Sequence, residues 1–252
     1  MKIGAQFYTL REAASTLEGF ADALARVADI GYTTVQISGT CGYEPQWLAE
    51  ELKKNGLLCA LTHTSPDRIR DEAAKVAAEH KIFGCANVGV GCMPGGVTPE
   101  NTAKYIKEFR PAADILWENG CKLFYHNHHW EFSHLEDGRM VLDHLLDAFP
   151  ADRMSVTLDT YWAQYGGADP AKVIEGLAGR GECIHLKDMV IVGNEQRMAP
   201  VGSGNLNFDR IIAAAEAVGT EYLLVEQDNC YEEDPFACLK KSYDYLSAMG
   251  LK

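Results

Sequence analysis

The sequence has few of the features that mark membrane, secreted or nucleic-acid-binding proteins. No apolar run approaches the roughly 20 residues that a membrane-spanning helix needs, and the first ten residues lack the apolar segment of a signal peptide. Its 23 lysine and arginine residues are outnumbered by 36 aspartate and glutamate residues, for a net charge of −13. Basic residues form neither a cluster nor a basic amphipathic helix. We therefore expect a cytoplasmic protein that binds neither nucleic acid nor membranes.

The eight cysteines include no C-x-x-C pair, which argues against the common zinc and redox motifs. In a chain of this length they are best interpreted as reduced thiols. Cys59, Cys121 and Cys183 lie in strand-like runs, so we expect them to be small buried hydrophobes. Low-complexity tracts and long Pro/Ser linkers are also lacking, which favours one domain spanning residues 1–252.

What the chain does contain is a regular alternation of short apolar runs and longer amphipathic segments. The apolar runs predict eight strands, at residues 2–8, 33–37, 57–63, 86–91, 121–126, 153–159, 183–188 and 221–226. The segments between them predict helices at residues 16–30, 47–54, 66 onward, 99–119, 141–149, 170–179, 208–218 and 235–249. Prolines lie near several predicted helix starts and glycines just after several predicted helix ends. This is the usual distribution of the two residues at helix termini.

Eight strand–helix units in about 250 residues predict an α/β fold of one kind, the closed (β/α)8 TIM barrel. The alternation requires parallel strands joined by right-handed crossovers. An open doubly wound sheet is the alternative, and it would want a glycine-rich turn after the first strand. The segment from Gln6 to Arg11 contains no glycine, so the barrel is favoured.

Polar side chains end several of the predicted strands, and in a TIM barrel these ends form the active site. Because strand side chains alternate between faces, Asp159, His185 and Glu226 should point into one pocket while their neighbours are apolar. A lone aspartate often caps a helix, and a lone histidine often only packs. Acidic and imidazole groups at the ends of strands five to eight together favour a mixed nitrogen and oxygen site for one divalent ion, Mn, Mg, Co or Zn.

At these positions the chain resembles the sugar phosphate isomerase/epimerase-like barrels, relatives of xylose isomerase and endonuclease IV. The resemblance covers nearly the whole chain. It is carried by six short motifs in barrel order: Gly4-Ala-Gln6-Phe-Tyr-Thr-Leu-Arg11, Tyr125-His-Asn-His128, Leu158-Asp159-Thr160, His185-Leu-Lys-Asp188, Val201-Gly-Ser-Gly-Asn205 and Val225-Glu-Gln-Asp228.

The resemblance implies four metal ligands, of which three carry over directly to Asp159, His185 and Glu226. The fourth is a glutamate after strand five, and many relatives have it where this chain has His126. Either Glu131 folds back to the metal or His126 replaces the glutamate. We expect Glu131, because a second carboxylate neutralises the ion better.

Enzymes of this kind move a proton on a carbon next to a carbonyl, and a metal stabilises the enediolate that forms. We expect Glu226 or Glu131 to be the base, and His128 or His63 to be the partner acid. Lys187 would bind or protonate a substrate oxygen. The predicted substrate-binding residues are Gln6, His63, His126, Trp130 and Trp162.

The sequence thus predicts a metal-dependent isomerase or epimerase acting on a small sugar or keto sugar. The alternative is a lyase or dehydratase that uses the same site on a keto-glycoside or an inositol-derived substrate. An endonuclease IV-like repair nuclease and a non-catalytic barrel subunit are less favoured, because histidines are few, the charge is acidic and the ligand set is nearly complete. Association into homo-oligomers is left open.

Two glycine-rich segments are alternatives for binding a phosphate group. Backbone N–H groups bind anions, and glycines 89, 91, 95 and 96 surround strand four. No lysine or arginine accompanies them, so we do not expect a phosphate there. In the Val201–Asn205 segment, Ser203 is the remaining candidate for contact with a phosphate, although Gly-Ser pairs are often turn chemistry alone.

Overall fold

A closed ring of eight parallel strands forms the centre of the molecule. The computed structural model describes residues 1–252. In chain order the strands are β1 (Lys2–Gln6), β2 (Thr34–Ile37), β3 (Leu58–His63), β4 (Asn87–Val90), β5 (Lys122–His126), β6 (Met154–Asp159), β7 (Cys183–Leu186), β8 (Asp188–Val192), β9 (Glu195–Ala199) and β10 (Tyr222–Val225). All except β8 and β9 belong to the barrel, and β1 closes it by pairing with both β2 and β10. The predicted (β/α)8 fold is confirmed.

Helices follow the barrel strands and cover the outside of the ring. They are α1 (Leu17–Ile30), α2 (Pro45–Lys54), α3 (Pro66–Ile82), α4 (Pro99–Glu118), α5 (Val141–Ala148), α6 (Thr160–Tyr165), α7 (Pro170–Glu175), α8 (Phe208–Ala217) and α9 (Pro235–Ala248). Five of them begin at a proline, whose fixed φ suits the first helical turn, where its missing N–H is not needed. None of the helices is long and apolar enough to cross a membrane.

The structure differs from the predicted elements in three places. The first strand ends at Gln6, because its side chain accepts a hydrogen bond from the backbone N–H of Tyr8 and starts a short 3-10 helix. The seventh barrel strand stops at Leu186, and the chain then forms the antiparallel hairpin of β8 and β9. A Gly193-Asn194 turn between two strand-like runs is a hairpin signal that the sequence does contain. The short helix α6 was also not predicted.

The interior of the barrel changes from apolar to polar along the strands. Its lower layer, which we call the apolar plug, consists of Ala60, Leu61, Phe124, Cys183 and Leu224, all buried. Outward-pointing residues of the strands pack against the helices in two larger apolar clusters. Towards the carboxyl ends of the strands the inward-pointing residues become charged. All eight cysteines are free, and the three expected to be buried are buried.

Candidate metal centre

Four side chains meet just above the apolar plug, at the carboxyl ends of the strands. His126, Asp159, His185 and Glu226 each offer one donor atom, and these atoms all lie within 4.8 Å of one another. We call them the His/Asp/His/Glu cluster. Strand pairing accounts for their meeting, since Asp159 lies opposite His185 in the register of β6 and β7. Ligand bonds of about 2.0–2.2 Å place the donors of one ion up to about 4.4 Å apart, so the cluster has nearly the dimensions of a metal site.

Two donor atoms of the cluster face each other. Nδ1 of His185 is buried and has no hydrogen-bond partner, and it lies 3.0 Å from Oε2 of Glu226, which is itself 2.9 Å from the Lys187 ammonium. Leaving a buried polar atom unsatisfied costs about 1–3 kcal/mol, and a bound cation would remove that cost for Nδ1. Imidazole nitrogens and carboxylate oxygens are the donors that Zn²⁺, Mn²⁺ and Co²⁺ accept. The cluster therefore fits one divalent ion.

Neighbouring polar groups hold three of the four side chains in position. Gln6 donates from Nε2 to Oε1 of Glu226 at 2.6 Å, which leaves Oε2 to face the cluster. His185 donates from Nε2 to Oε1 of Gln36 at 2.6 Å, so in the neutral ring the lone pair is on Nδ1. His126 donates from Nδ1 to the carbonyl of Gly91 at 2.9 Å, and its Nε2 points at Asp159. Such contacts set the tautomer and orientation of metal-binding side chains.

Lys187 is the one cationic side chain in contact with the cluster. Its Nζ lies 2.9 Å from Oδ2 of Asp159, 2.9 Å from Oε2 of Glu226 and 3.0 Å from Oδ1 of Asp228. Burial alone would lower the pKa of Lys187, but the three carboxylates raise it overall, so the group stays an ammonium. Burial would raise the pKa values of Asp159 and Glu226, but Lys187 and the histidines hold both below their usual range. The carboxylates are therefore ionised.

Two further histidines border the cluster in the neutral form. His63 contacts the Ser38 hydroxyl through Nδ1 at 3.0 Å, and its buried Nε2 has no partner. Burial and the nearby His126 lower the pKa of His63 well below its usual value. Burial and His126 likewise lower the pKa of His128 to about 3. Near pH 7 both rings are therefore uncharged, and neither holds the extra proton that the partner acid expected from the sequence would donate.

The structure does not bring Glu131 into the cluster, contrary to our expectation for the fourth ligand. Glu131 is buried in a 3-10 helix over Trp130–Phe132. Its Oε1 accepts a hydrogen bond from the Tyr125 hydroxyl at 2.5 Å, and its Oε2 accepts one from the backbone N–H of His128 at 2.8 Å. Tyr125 points out of the barrel towards Tyr105 of α4, opposite to His126. The carboxylate is thus held on the outer side of β5, and His126 stands in the fourth position.

The two predicted sugar-binding tryptophans lie together at the mouth of the site. The ring of Trp162 is 5.3 Å from the His128 ring, and its centroid is 5.6 Å from Nζ of Lys187. The ring of Trp130 is 5.1 Å from the His128 ring and 47% exposed. By contrast Gln6 and His126, also expected to bind substrate, are occupied in forming the cluster itself.

The glycine segments have structural roles in this arrangement. A Cβ atom at Gly91 would lie 3.1 Å from Nδ1 of His63, so this glycine makes room for the histidine. In the loop before α8 the amides of Gly202, Gly204 and Leu206 donate to the Asp188 carboxylate at 3.0, 2.8 and 3.2 Å. The amides that a phosphate would need there are taken by the chain's own carboxylate.

Sequence reasoning missed two residues that shape the cluster. Gln36 on β2 is one of them, and it orients His185. Asn127 accepts a hydrogen bond from the backbone N–H of Asp159 at 3.0 Å and so ties β5 to β6. Asn127 lies inside the motif Tyr125-His-Asn-His128, which was the available signal.

A parallel barrel with carboxylates and imidazoles converging at the carboxyl ends of its strands is the arrangement found in TIM-barrel enzymes. Residues 24–248 match the family described as xylose isomerase-like TIM barrel. The chain belongs to this family. Its known members include sugar isomerases, epimerases and dehydratases.

Individual relatives are more distant. Inosose dehydratase from Geobacillus kaustophilus (strain HTA426) is 22% identical over 191 residues, which cover 66% of this chain and 61% of that protein. A sugar phosphate isomerase/epimerase from Parabacteroides distasonis ATCC 8503 superposes with a TM-score of 0.84 at 24% identity, covering 98% of this chain and 93% of the other. A probable 3-DHS dehydratase from Bacillus anthracis gives a TM-score of 0.74 at 14% identity, covering 98% and 99%. The structural likenesses show a shared fold.

Proposed function

We propose that the protein is a metal-dependent isomerase or epimerase that moves a proton on a carbon next to the carbonyl of a small keto sugar. The observation that carries the proposal is the convergence of four donor side chains in the His/Asp/His/Glu cluster, among them the Glu226 carboxylate, whose Oε2 faces the cluster. It sets a carboxylate base beside the donors of a divalent ion. When bound, the ion would polarise the substrate carbonyl and its neighbouring hydroxyl, which makes the adjacent C–H bond more acidic.

The side chains around the cluster divide the remaining work. Glu226, with Oε1 held by Gln6, takes the proton through Oε2 and gives it back to the neighbouring carbon in an isomerisation. Lys187 binds a substrate oxygen that gains negative charge. In an epimerisation, Glu226 removes the proton from one face of the carbon, and His128 relays a proton from water to the opposite face. Trp130 and Trp162 cover the C–H face of the sugar.

We further propose that the substrate carries no phosphate group. Asp188 occupies the amides of the loop before α8, and the ammonium of Lys187 is already shared by three carboxylates. Ketoses and keto-glycosides are neutral, so they avoid the repulsion that a phosphate would meet here. A paired assay of one ketose with and without a phosphate ester tests this, and turnover of the ester alone would contradict it.

A lyase acting on a keto-glycoside or an inositol-derived substrate is the second candidate. It is favoured by His126 standing where a second carboxylate was expected, because Glu131 is bonded outside the cluster and Glu226 is then the one of the two expected bases that lies at the site. Elimination needs a single base on the carbon next to the carbonyl. Glu226 takes the proton, the C–H electron pair forms a C=C bond, and the bond to an oxygen on the following carbon breaks. The departing oxygen receives the proton from Glu226 and leaves as water or an alcohol.

Solvent exchange tests both candidates. In deuterated water, an accepted keto sugar should gain deuterium beside its carbonyl when the metal is present. Glu226→Gln should abolish the exchange, with a loss of at least about 1,000-fold because the base is gone. Glu131→Gln is the matched control, a buried carboxylate next to the site, and it should retain exchange. Elimination would appear as loss of water or an alcohol by mass spectrometry.

Full turnover without deuterium in the product, from a substrate that does not itself exchange, would exclude proton transfer and favour a hydride shift. Such a result would leave the barrel and the cluster in place.

A further inference from the structure

We propose that Lys187 is a resident counter-cation that competes with the divalent ion for the same carboxylate oxygens and moves onto Asp228 when the ion binds. This inference rests on the metal site of the proposed function. It assigns to Lys187 a part in metal loading, in addition to the contact with substrate proposed above.

The contacts of Lys187 coincide with the donor atoms of the cluster. Oδ2 of Asp159 lies 3.3 Å from Nε2 of His126, and Oε2 of Glu226 lies 3.0 Å from Nδ1 of His185. Nζ of Lys187 is 2.9 Å from each of these two oxygens. A divalent ion held by the four donors would need the same oxygens. Two cations so close in a site with almost no exposure to water repel each other strongly, so they cannot share both oxygens without movement.

A charge count shows why the lysine should move and not leave. Asp159, Glu226 and Asp228 supply three negative charges, and Lys187 supplies one positive charge. Histidines bind metals as neutral imidazoles, so two negative charges remain, which is the charge that one divalent ion neutralises. The buried group is therefore neutral only when the ion and the lysine are both present.

Asp228 provides the position to which the lysine can retreat. Nζ lies 3.0 and 3.1 Å from its two oxygens. The Asp228 side chain is 23% exposed, whereas that of Asp159 is fully buried, so a shift towards Asp228 carries the ammonium outward. There it would lie at the mouth of the site with Trp162, close to where a substrate oxygen would arrive. Binding of the metal would then also move the Lys187 ammonium to the place where it can contact substrate.

The experiment measures Mn²⁺ binding by calorimetry on EDTA-treated wild type, Lys187→Met, Lys187→Arg and Lys122→Met. Lys122 is the matched control, because it pairs with Glu182 at 2.6 Å at the opposite end of the barrel. Lys187→Met should bind Mn²⁺ at least about tenfold more tightly, since one unit of positive charge is removed beside the ion. Lys122→Met should leave the affinity unchanged, and Lys187→Arg, which keeps the charge, should not raise it.

Melting temperatures with and without Mn²⁺ give an independent readout. Lys187→Met should lower Tm mainly in the metal-free protein, where Asp159 and Glu226 lose their counter-charge. Lys122→Met should lower Tm equally in both states. If Lys187→Met folds only with Mn²⁺ present, the refolding yield with and without the ion supports the same competition.

Each binding outcome has one meaning. If the wild type binds one ion and Lys187→Met binds it equally or more weakly, the inference is overturned while the metal site stands. If Lys187→Met binds Mn²⁺ and the wild type does not, the competition is supported and the metal dependence of the proposed function fails. If neither binds any divalent ion, both are overturned.

Discussion

The two layers of the barrel interior are built by the same strands and have opposite chemistry. On β5 Phe124 precedes His126 by two residues, on β7 Cys183 precedes His185, and on β10 Leu224 precedes Glu226. The first residue of each pair lies in the apolar plug and the second in the His/Asp/His/Glu cluster. Because strand side chains repeat every two residues on one face, one step along the strand converts the core into the site.

The apolar plug and the His/Asp/His/Glu cluster should contribute differently to stability and to function. Each large apolar side chain of the plug contributes about 1.5–3 kcal/mol by its burial. The cluster buries the carboxylates of Asp159 and Glu226 against the neighbouring Lys187, and buried ion pairs often contribute no more than apolar residues of the same size. The plug should therefore dominate stability, and the cluster should dominate metal binding and catalysis.

The largest expected effect tests this separation in the plug. Phe124→Ala removes a fully buried ring and should lower the free energy of unfolding by about 3–5 kcal/mol, as measured by urea denaturation. Mn²⁺ affinity of the folded variant should stay within about threefold of the wild type, because no donor atom is lost. A loss of metal binding as large as the loss of stability would show that the two layers are not separable.

The second prediction contrasts a structural histidine with those of the site. His80 donates from Nδ1 to the Val76 carbonyl and accepts from the Thr62 hydroxyl at Nε2, each at 2.8 Å, so its neutral form is fully bonded. Burial lowers the pKa of His80 to about 4. The unfolded chain, with a pKa near 6.5, binds the proton first as pH falls. His80 should therefore contribute on the order of 3 kcal/mol above pH 6.5, and this contribution should decline towards pH 4.

The measurement is urea denaturation of wild type and His80→Gln between pH 7 and pH 4. The difference in unfolding free energy between the two proteins should narrow on acidification. The exposed His134 supplies the control, since His134→Gln should leave the pH dependence as in the wild type. A difference that stays constant over this range would rule out a titrating role for His80.

The third prediction asks which residue completes the cluster. His126→Ala should weaken Mn²⁺ binding by more than about 100-fold, or about 2.7 kcal/mol, because a direct ligand is lost. Glu131→Gln should leave the affinity unchanged, since its carboxylate bonds to Tyr125 on the outer side of β5. The reverse pattern in the two titrations would restore Glu131 as the ligand and require the segment after β5 to rearrange.

The last prediction is that the protein has no effect on DNA. With a net charge of −13 and an acidic cluster, the protein should neither bind abasic duplex DNA at physiological salt nor cleave it. Gel shift and incision assays with added Mn²⁺ check this. Specific incision would replace the sugar hypothesis with a nuclease.

The sequence by itself determined the barrel and three residues of the cluster. Apolar runs alternating with amphipathic segments are local patterns, and eight repeats allow few topologies. Strand alternation is also local, so it correctly brought Asp159, His185 and Glu226 to one face. The short polar motifs at strand ends could be found in the sequence without knowing which distant residues they contact.

Only the tertiary structure decided the path of the segments between the strands. Glu131 was expected at the metal, but the five residues that follow β5 do not show which way its side chain points. Its carboxylate bonds to the outward-facing Tyr125, and the position of that ring depends on how it packs against α4. The same holds for Asp188, whose carboxylate fills a loop 14 to 18 residues further along the chain. It holds also for Lys187, whose three partners come from β6 and from the end of β10. Periodicity assigns a side chain to a face of its own strand, whereas its partners depend on which other segments fold against that face.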